Sequence, residues 1–158
     1  MSAVLKPQPN QLSRWVTFRL ADEIYGLDVM QVQEVLRLSE VARVPGAPAA
    51  VLGIINLRGQ LVTVLDARLL FSLPLAEHSD QTRIMIVKCN RNIVGLLVDS
   101  VAEVVNIEDA DIDSAPDIGS DGHSKYIQDV YSKHGEILIL VDLNRLLGPD
   151  ARLFSGAD

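Results

Sequence analysis

Between Trp15 and Leu147 the apolar residues fall in short runs, each closed by glycine, aspartate, arginine or proline. Runs this short and this rich in valine, isoleucine and leucine predict strands rather than helices. WVTFRL (15–20) and IYGLDV (24–29) flank a polar turn at residues 21–23 and predict a hairpin. Period-two alternation then puts Phe18 and Leu20 on one face. In DVMQVQEVLRL the spacing of Val29, Val32, Val35 and Leu36 by three, three and one predicts a short helix or helical turn, with Asp28 as its cap. Pro45, Gly46 and Pro48 mark a turn, after which VLGIINL and QLVTVLDA predict two strands around an Arg58-Gly59 corner. A type I turn there needs a left-handed residue next, which Gly59 supplies without a Cβ clash. Residues 66–71 read as a terminal helical turn, and the polar stretch 72–82, with Pro74, as a linker.

The pattern then starts again. IYGLDVMQVQEV (24–35) lies over IVGLLVDSVAEV (93–104) at an offset of 69, placing Gly26 on Gly95, Val32 on Val101 and Glu34 on Glu103. RGQLVTVLDA (58–67) lies over HGEILILVDL (134–143) at an offset of 76, placing Gly59 on Gly135 and Asp66 on Asp142. The seven-residue difference predicts a longer internal loop in the second half, and IEDADIDSAPDIGSDG (107–122) is where it fits. Two matched halves of short strands predict a mainly β fold of two similar small barrels packed side by side, with only short helices. The expected boundaries are a flexible tail over 1–13, one domain over 14–148 built of halves at about 14–71 and 82–148, and a C-terminal tail over 149–158. Whether the halves exchange strands is open at this stage.

Composition changes the picture mainly by exclusion. A chain of 158 residues suits one compact domain, or two small ones sharing a core. A net charge of -7, with no cluster of lysine and arginine to reverse it locally, repels phosphate, which argues against nucleic acid or anionic membrane as a partner. The amino terminus carries Pro7 and Pro9 where a secretory signal needs its apolar core, and no apolar run reaches the roughly 20 residues of a membrane helix. A cytoplasmic location is the expectation. The single cysteine, Cys89, cannot form an internal disulfide and reads as a small buried apolar side chain.

Catalytic and metal-binding patterns are equally sparse. There is no phosphate loop, no G-x-S-x-G elbow and no H-E-x-x-H. His78, His123 and His134 sit in polar, turn-like surroundings, and their spacing with Cys89 fits no compact ligand set. Asp109, Asp111 and Asp113 alternate like the start of a calcium loop, but Ser114 stands where glycine is needed and Ser120 where the closing glutamate belongs. Neither a cofactor nor a metal nor an enzymatic activity is expected. What remains is a surface for protein contacts. Arg58, on a rigid corner, offers a planar set of donors suited to carboxylates or carbonyls; a solvated turn residue is the plainer reading, and Glu34 is a possible partner within the chain. Val32 and Val101 are either core or the lining of an apolar groove between the halves.

Taken in order, YGLDVMQVQEV, RVPGAPAAVLGIINLRG, QLVTVLDAR, VGLLVDSVAEVV and LILVDLNRLL resemble the CheW family of chemotaxis coupling proteins, over residues 15–147. The resemblance implies two intertwined, five-stranded, SH3-like β-barrels without catalytic activity. It implies an adaptor that binds the regulatory domain of the histidine kinase CheA on one surface and the cytoplasmic hairpin tip of methyl-accepting chemoreceptors on another, in arrays at the membrane but not inserted in it. Carried over by position, the receptor groove would use Val32, Glu34, Gly53 and Arg58, together with Gly59, Val101 and Val104. The kinase face would use the first barrel, with Val16 and Val29. Thr63 and Ala67 depart from the proline and leucine frequent in the family, which bears on packing near the corner. A scaffold for another assembly, in surface motility or a second-messenger pathway, is the alternative.

Overall fold

The computed structural model describes residues 12–114, 127–133 and 135–147. Of the two expected tails only residues 12 and 13 fall within this range; the rest lies outside it, as do Ser120, His123 and His134. Strands β1 (Leu12–Leu20), β2 (Glu23–Asp28), β3 (Val32–Arg37), β4 (Val51–Leu57) and β5 (Gln60–Asp66) precede a short helix α1 (Ala67–Leu70). Strands β6 (Arg83–Cys89), β7 (Asn92–Val98), β8 (Ser100–Glu108), β9 (Ile112–Ser114), β10 (Ile127–Lys133) and β11 (Glu136–Val141) follow, and α2 (Leu143–Leu147) closes the described chain.

They make two sheets, one in the order β8-β1-β2-β11-β10-β9 and one in the order β3-β6-β7-β5-β4. The fold is mainly β with two sheets, as expected. The expected pair of closed five-stranded barrels is not seen in the ladders: β9 makes one sheet six-stranded, and each sheet ends in two edge strands. The chain changes sheet between β2 and β3 and back between β7 and β8, so both sheets draw on both sequence halves.

Central strands are buried on both faces, which explains their unbroken apolar runs. On β6, Met85, Val87 and Cys89 face a core shared by the two sheets, while Ile84 and Ile86 face a core enclosed by the five-stranded sheet alone. On β1, Val16, Phe18 and Leu20 face the shared core and Trp15 faces a third cluster, with Ile107, Leu138 and Leu140, belonging to the six-stranded sheet. The expected hairpin and the shared face of Phe18 and Leu20 are therefore present.

The internal repeat is visible in the hydrogen-bond register. Each sheet has one parallel pairing, and Gly95 opposes Val64 in one while Gly26 opposes Leu140 in the other, positions related by the same offsets of 69 and 76. The turns match too: Ala21 (φ 55) corresponds to Asn90 (φ 58), and Gly59 (φ 87) to Gly135 (φ 80).

Two local expectations need correction. Only Val29–Gln31 forms a helical turn, a 3-10 turn whose first free amide, at Met30, is capped by Asp28 Oδ1 at 2.9 Å; residues 32–37 are strand β3, not helix. Along β3 burial alternates residue by residue, and Val35, which created the helical spacing, points outward while Glu34 and Leu36 turn in. The Arg58-Gly59 corner has positive φ at both residues (51 and 87), the signature of a type I′ rather than a type I turn. Its twist matches that of the flanking strands, so a two-residue loop joins them without splaying.

Candidate functional site

The corner between β4 and β5 is built locally. Asn56 Oδ1 accepts the Gly59 amide at 2.8 Å, and Leu57 pairs with Gln60 across the turn. Gly59 faces open space, so what it contributes is backbone conformation and not close packing. Arg58 projects from this corner to Glu34 on β3, the opposite edge of the same sheet. Its Nη1 donates to Oε1 at 3.3 Å and its Nη2 to Oε2, a two-pronged pairing. The hydrogen bond from Arg58 holds the Glu34 carboxyl below its usual range; burial works against this, and the Arg58 charge adds to it. The Arg58 side chain stays 70% exposed while Glu34 is 29% exposed. The guanidinium is thus aimed, and still available from outside.

The other sequence-derived positions divide by surroundings. Gly53 is buried where residues 41–42 cross β4: a Cβ there would stand 2.3 Å from the Ala42 carbonyl oxygen. Ala42 and Ile54 exchange two backbone hydrogen bonds at that crossing, of 2.9 and 2.8 Å. Val32 and Val101 are half-buried against the shared core, on β3 and β8 respectively. Val104, also on β8, is exposed. Val16 is only 6% exposed and belongs to the shared core, and Val29 packs against that core half-buried. Next to Val29, Met30 is 86% exposed, an outward thioether that periodicity did not single out. Thr63 and Ala67, the two departures from the family pattern, are both buried.

A second constellation escaped the sequence reading. Arg68, just inside α1, donates from Nε and Nη2 to the two carboxylate oxygens of Asp99, at 2.9 and 2.6 Å, and from Nη1 to the Pro74 carbonyl at 3.0 Å. Asp99 sits where the chain crosses from β7 to β8, and its Oδ2 also accepts the Ala21 amide of the β1–β2 turn at 2.8 Å. Burial alone would push the Asp99 carboxyl up; the Arg68 and Ala21 hydrogen bonds and the Arg68 charge outweigh it and hold the carboxyl below its usual range. This latch fastens both sheets and the start of the 72–82 connection. Period and spacing carry no sign of it, because Ala21, Arg68 and Asp99 lie far apart in the chain.

The repeated aspartates, in contrast, were legible by alignment: Asp66 Oδ1 accepts the Arg68 amide at 2.9 Å and Asp142 Oδ1 the Arg145 amide at 3.2 Å, each at the start of a short helix. Cys89 is buried, and its thiol donates to Asn144 Oδ1 at 2.9 Å. Burial, helped by the nearby Asp142 charge, raises its pKa and keeps it protonated. Asp109 and Asp111 lie in one 3-10 turn and Asp113 on β9. Among the described residues no three His, Cys, Asp or Glu side chains are grouped to hold a metal, and no helix is long and apolar enough to cross a membrane.

Comparison with known proteins places this geometry in a family. The model of the CheW-like domain matches residues 14–150. The chain is 31% identical over 137 residues to the chemotaxis protein CheW of Rhizobium meliloti, covering 87% of this chain and 88% of that one. It is 27% identical over 145 residues to protein FrzA of Myxococcus xanthus, covering 90% of each. The crystal structure of the scaffolding protein TtCheW from Thermoanaerobacter tengcongensis superposes with a TM-score of 0.80 at 30% identity, covering 89% of this chain and 96% of that one. The chain belongs to the CheW-like domain family.

Proposed function

We propose that this protein is a non-catalytic adaptor that couples the cytoplasmic tips of chemoreceptors to the histidine kinase CheA, working in the cytoplasm at membrane-associated arrays. The observation that carries this reading is the Arg58 guanidinium, oriented by Glu34 on a rigid type I′ corner yet largely open to solvent. Such a group meets a partner's carboxylates or carbonyls without first losing rotamer freedom. In this reading Val32, Glu34, Arg58, Gly59, Val101 and Val104 serve the receptor, and Gly53 serves it indirectly by letting residues 41–42 cross close behind the corner. The region of Val29 serves the kinase, with buried Val16 supporting it from the core. An adaptor that holds both partners raises their effective concentration, so that contacts of moderate strength suffice for an array.

The test mixes the purified protein with a receptor hairpin tip and with the kinase regulatory domain. Binding to both is expected. Arg58→Asp should weaken the receptor contact about tenfold or more while leaving the melting temperature unchanged and kinase binding intact. Absence of binding to either partner, or loss of the fold on changing Arg58, overturns the proposal. The likeness to FrzA favours, as a second reading, a scaffold in a different assembly, which partner capture from the native host distinguishes.

A further inference from the structure

The six-stranded sheet encloses a cleft of about 510 Å³, within the range of sites that accept a ligand or a few side chains. Its floor is apolar: Ile24, Val105, Tyr131 and Leu138 line it and all belong to the third core cluster. Ile137 stands at the rim, 54% exposed. Two exposed carboxylates, Glu103 and Glu136, share the lining with one cation, Arg19. None of these three charged side chains makes an ion pair or side-chain hydrogen bond among the described residues.

The internal repeat shows what is missing. By the offset of 69 Glu103 is the counterpart of Glu34, and by the offset of 76 Ile137 is the counterpart of Leu61, itself exposed. Glu34 is satisfied from within the chain by Arg58. The residue aligned with Arg58 is His134, so the arginine is not repeated in the second half. With Glu103 and Glu136 set against Arg19 alone, the charged side chains of the cleft lining are net negative, which favours a cation.

We infer that this cleft is a docking site for a segment of a partner protein in which an aliphatic side chain is flanked by lysine or arginine. The aliphatic group enters over Val105 and Leu138, and the flanking cations pair with Glu103 and Glu136. The inference rests on the repeat and the cleft, and is independent of the partners proposed for the Arg58 corner.

Amide chemical-shift titration of the isotope-labelled full chain tests it with two capped peptides, Ser-Lys-Leu-Ile-Lys-Ser and Ser-Glu-Leu-Ile-Glu-Ser. The basic peptide should bind saturably, with shifts centred on residues 102–106 and 136–138. The acidic one should bind at least about tenfold more weakly. Glu103→Lys combined with Glu136→Lys should cost the basic peptide about tenfold or more, with an unchanged melting temperature, whereas Arg58→Asp should leave its affinity as it was. Absence of saturable binding, equal binding of the two peptides, or shifts centred on the Arg58 corner each overturns the assignment.

Discussion

The two sheets are built from repeated sequence, yet one closes over its own core and the other leaves a cleft. In the five-stranded sheet the connection after β3 brings Leu36, Leu38 and Val41 onto the enclosed core, then crosses β4 at Gly53 with the Ala42–Ile54 hydrogen bonds. In the six-stranded sheet the counterpart of Gly53 is Asp129, at the same break in strand register, between Ile127 and Asp129 as between Val51 and Gly53. The connection there pairs with β10 as a separate strand, β9, and brings Ile112 onto the third cluster, while the counterpart of Val41 is the exposed Ala110. A backbone without a side chain at the crossing of one half thus corresponds to an aspartate at the matching position of the other. The acids at the two mouths differ too: Glu34 pairs with Arg58, whereas Glu103 makes no ion pair among the described residues.

The largest test asks whether the two sheets are separate units at all. Phe18 is fully buried in the shared core and stacks on Tyr25 with ring centroids 5.6 Å apart. Phe18→Ala should cost about 3–5 kcal/mol. Because that core takes side chains from both sheets, denaturant unfolding followed by Trp15 fluorescence and by far-ultraviolet circular dichroism should show one coincident transition, shifted to lower denaturant. Two separate transitions would mean that the sheets fold independently and that the shared core is a mere contact.

Gly53→Ala tests that crossing directly. The new Cβ meets backbone, not a flexible side chain, so residues 41–42 must move, at a cost of about 2–3 kcal/mol. Asp129→Ala, its counterpart, should change stability by no more than about 0.5 kcal/mol. Equal costs would show that the crossing is not what distinguishes the halves.

What could be read from the sequence divides along the same line. The strands, the β1–β2 hairpin, the repeat and its offsets were all visible, because they depend on local alternation and on turn residues. The helical reading of residues 32–37 failed because Val35 is an exposed valine on an edge strand, and periodicity assumes that apolar residues face inward. The Glu34–Arg58 pair was only a candidate until the sheet curled its two edges together. The Arg68–Asp99 latch was invisible, since a charge at the end of an apolar run looks the same whether it meets water or a guanidinium.

That latch supplies the next test, of how the sheets are held rather than how each is filled. Asp99→Ala removes both Arg68 hydrogen bonds and the Ala21 contact, and should destabilise the protein by about 2 kcal/mol near neutral pH. The Asp99 carboxyl is held below its ordinary value of about 3.9. Its contribution is therefore complete above that value and is lost as pH falls through the lower, folded-state pKa. The stability gap between wild type and variant, measured by urea melts, should stay level from pH 7 to about 5 and narrow below about 4. A gap that widened in acid would contradict the paired geometry.

The smallest effect on stability, and the sharpest on the comparison, belongs to Arg58→Ala. The guanidinium is exposed, so its loss should leave the melting temperature unchanged within error. The Glu34 carboxyl, followed by carbon-13 shifts, should titrate below the ordinary glutamate range in the wild type and move up toward that range in the variant, because the Arg58 hydrogen bond is the leading cause of its depression. In that variant Glu34 becomes what Glu103 already is among the described residues, an acid at the mouth of its sheet without an ion-pair partner. If the Glu34 titration does not move, the two mouths differ by something other than the Arg58 pairing, and the contrast drawn between them at this position fails.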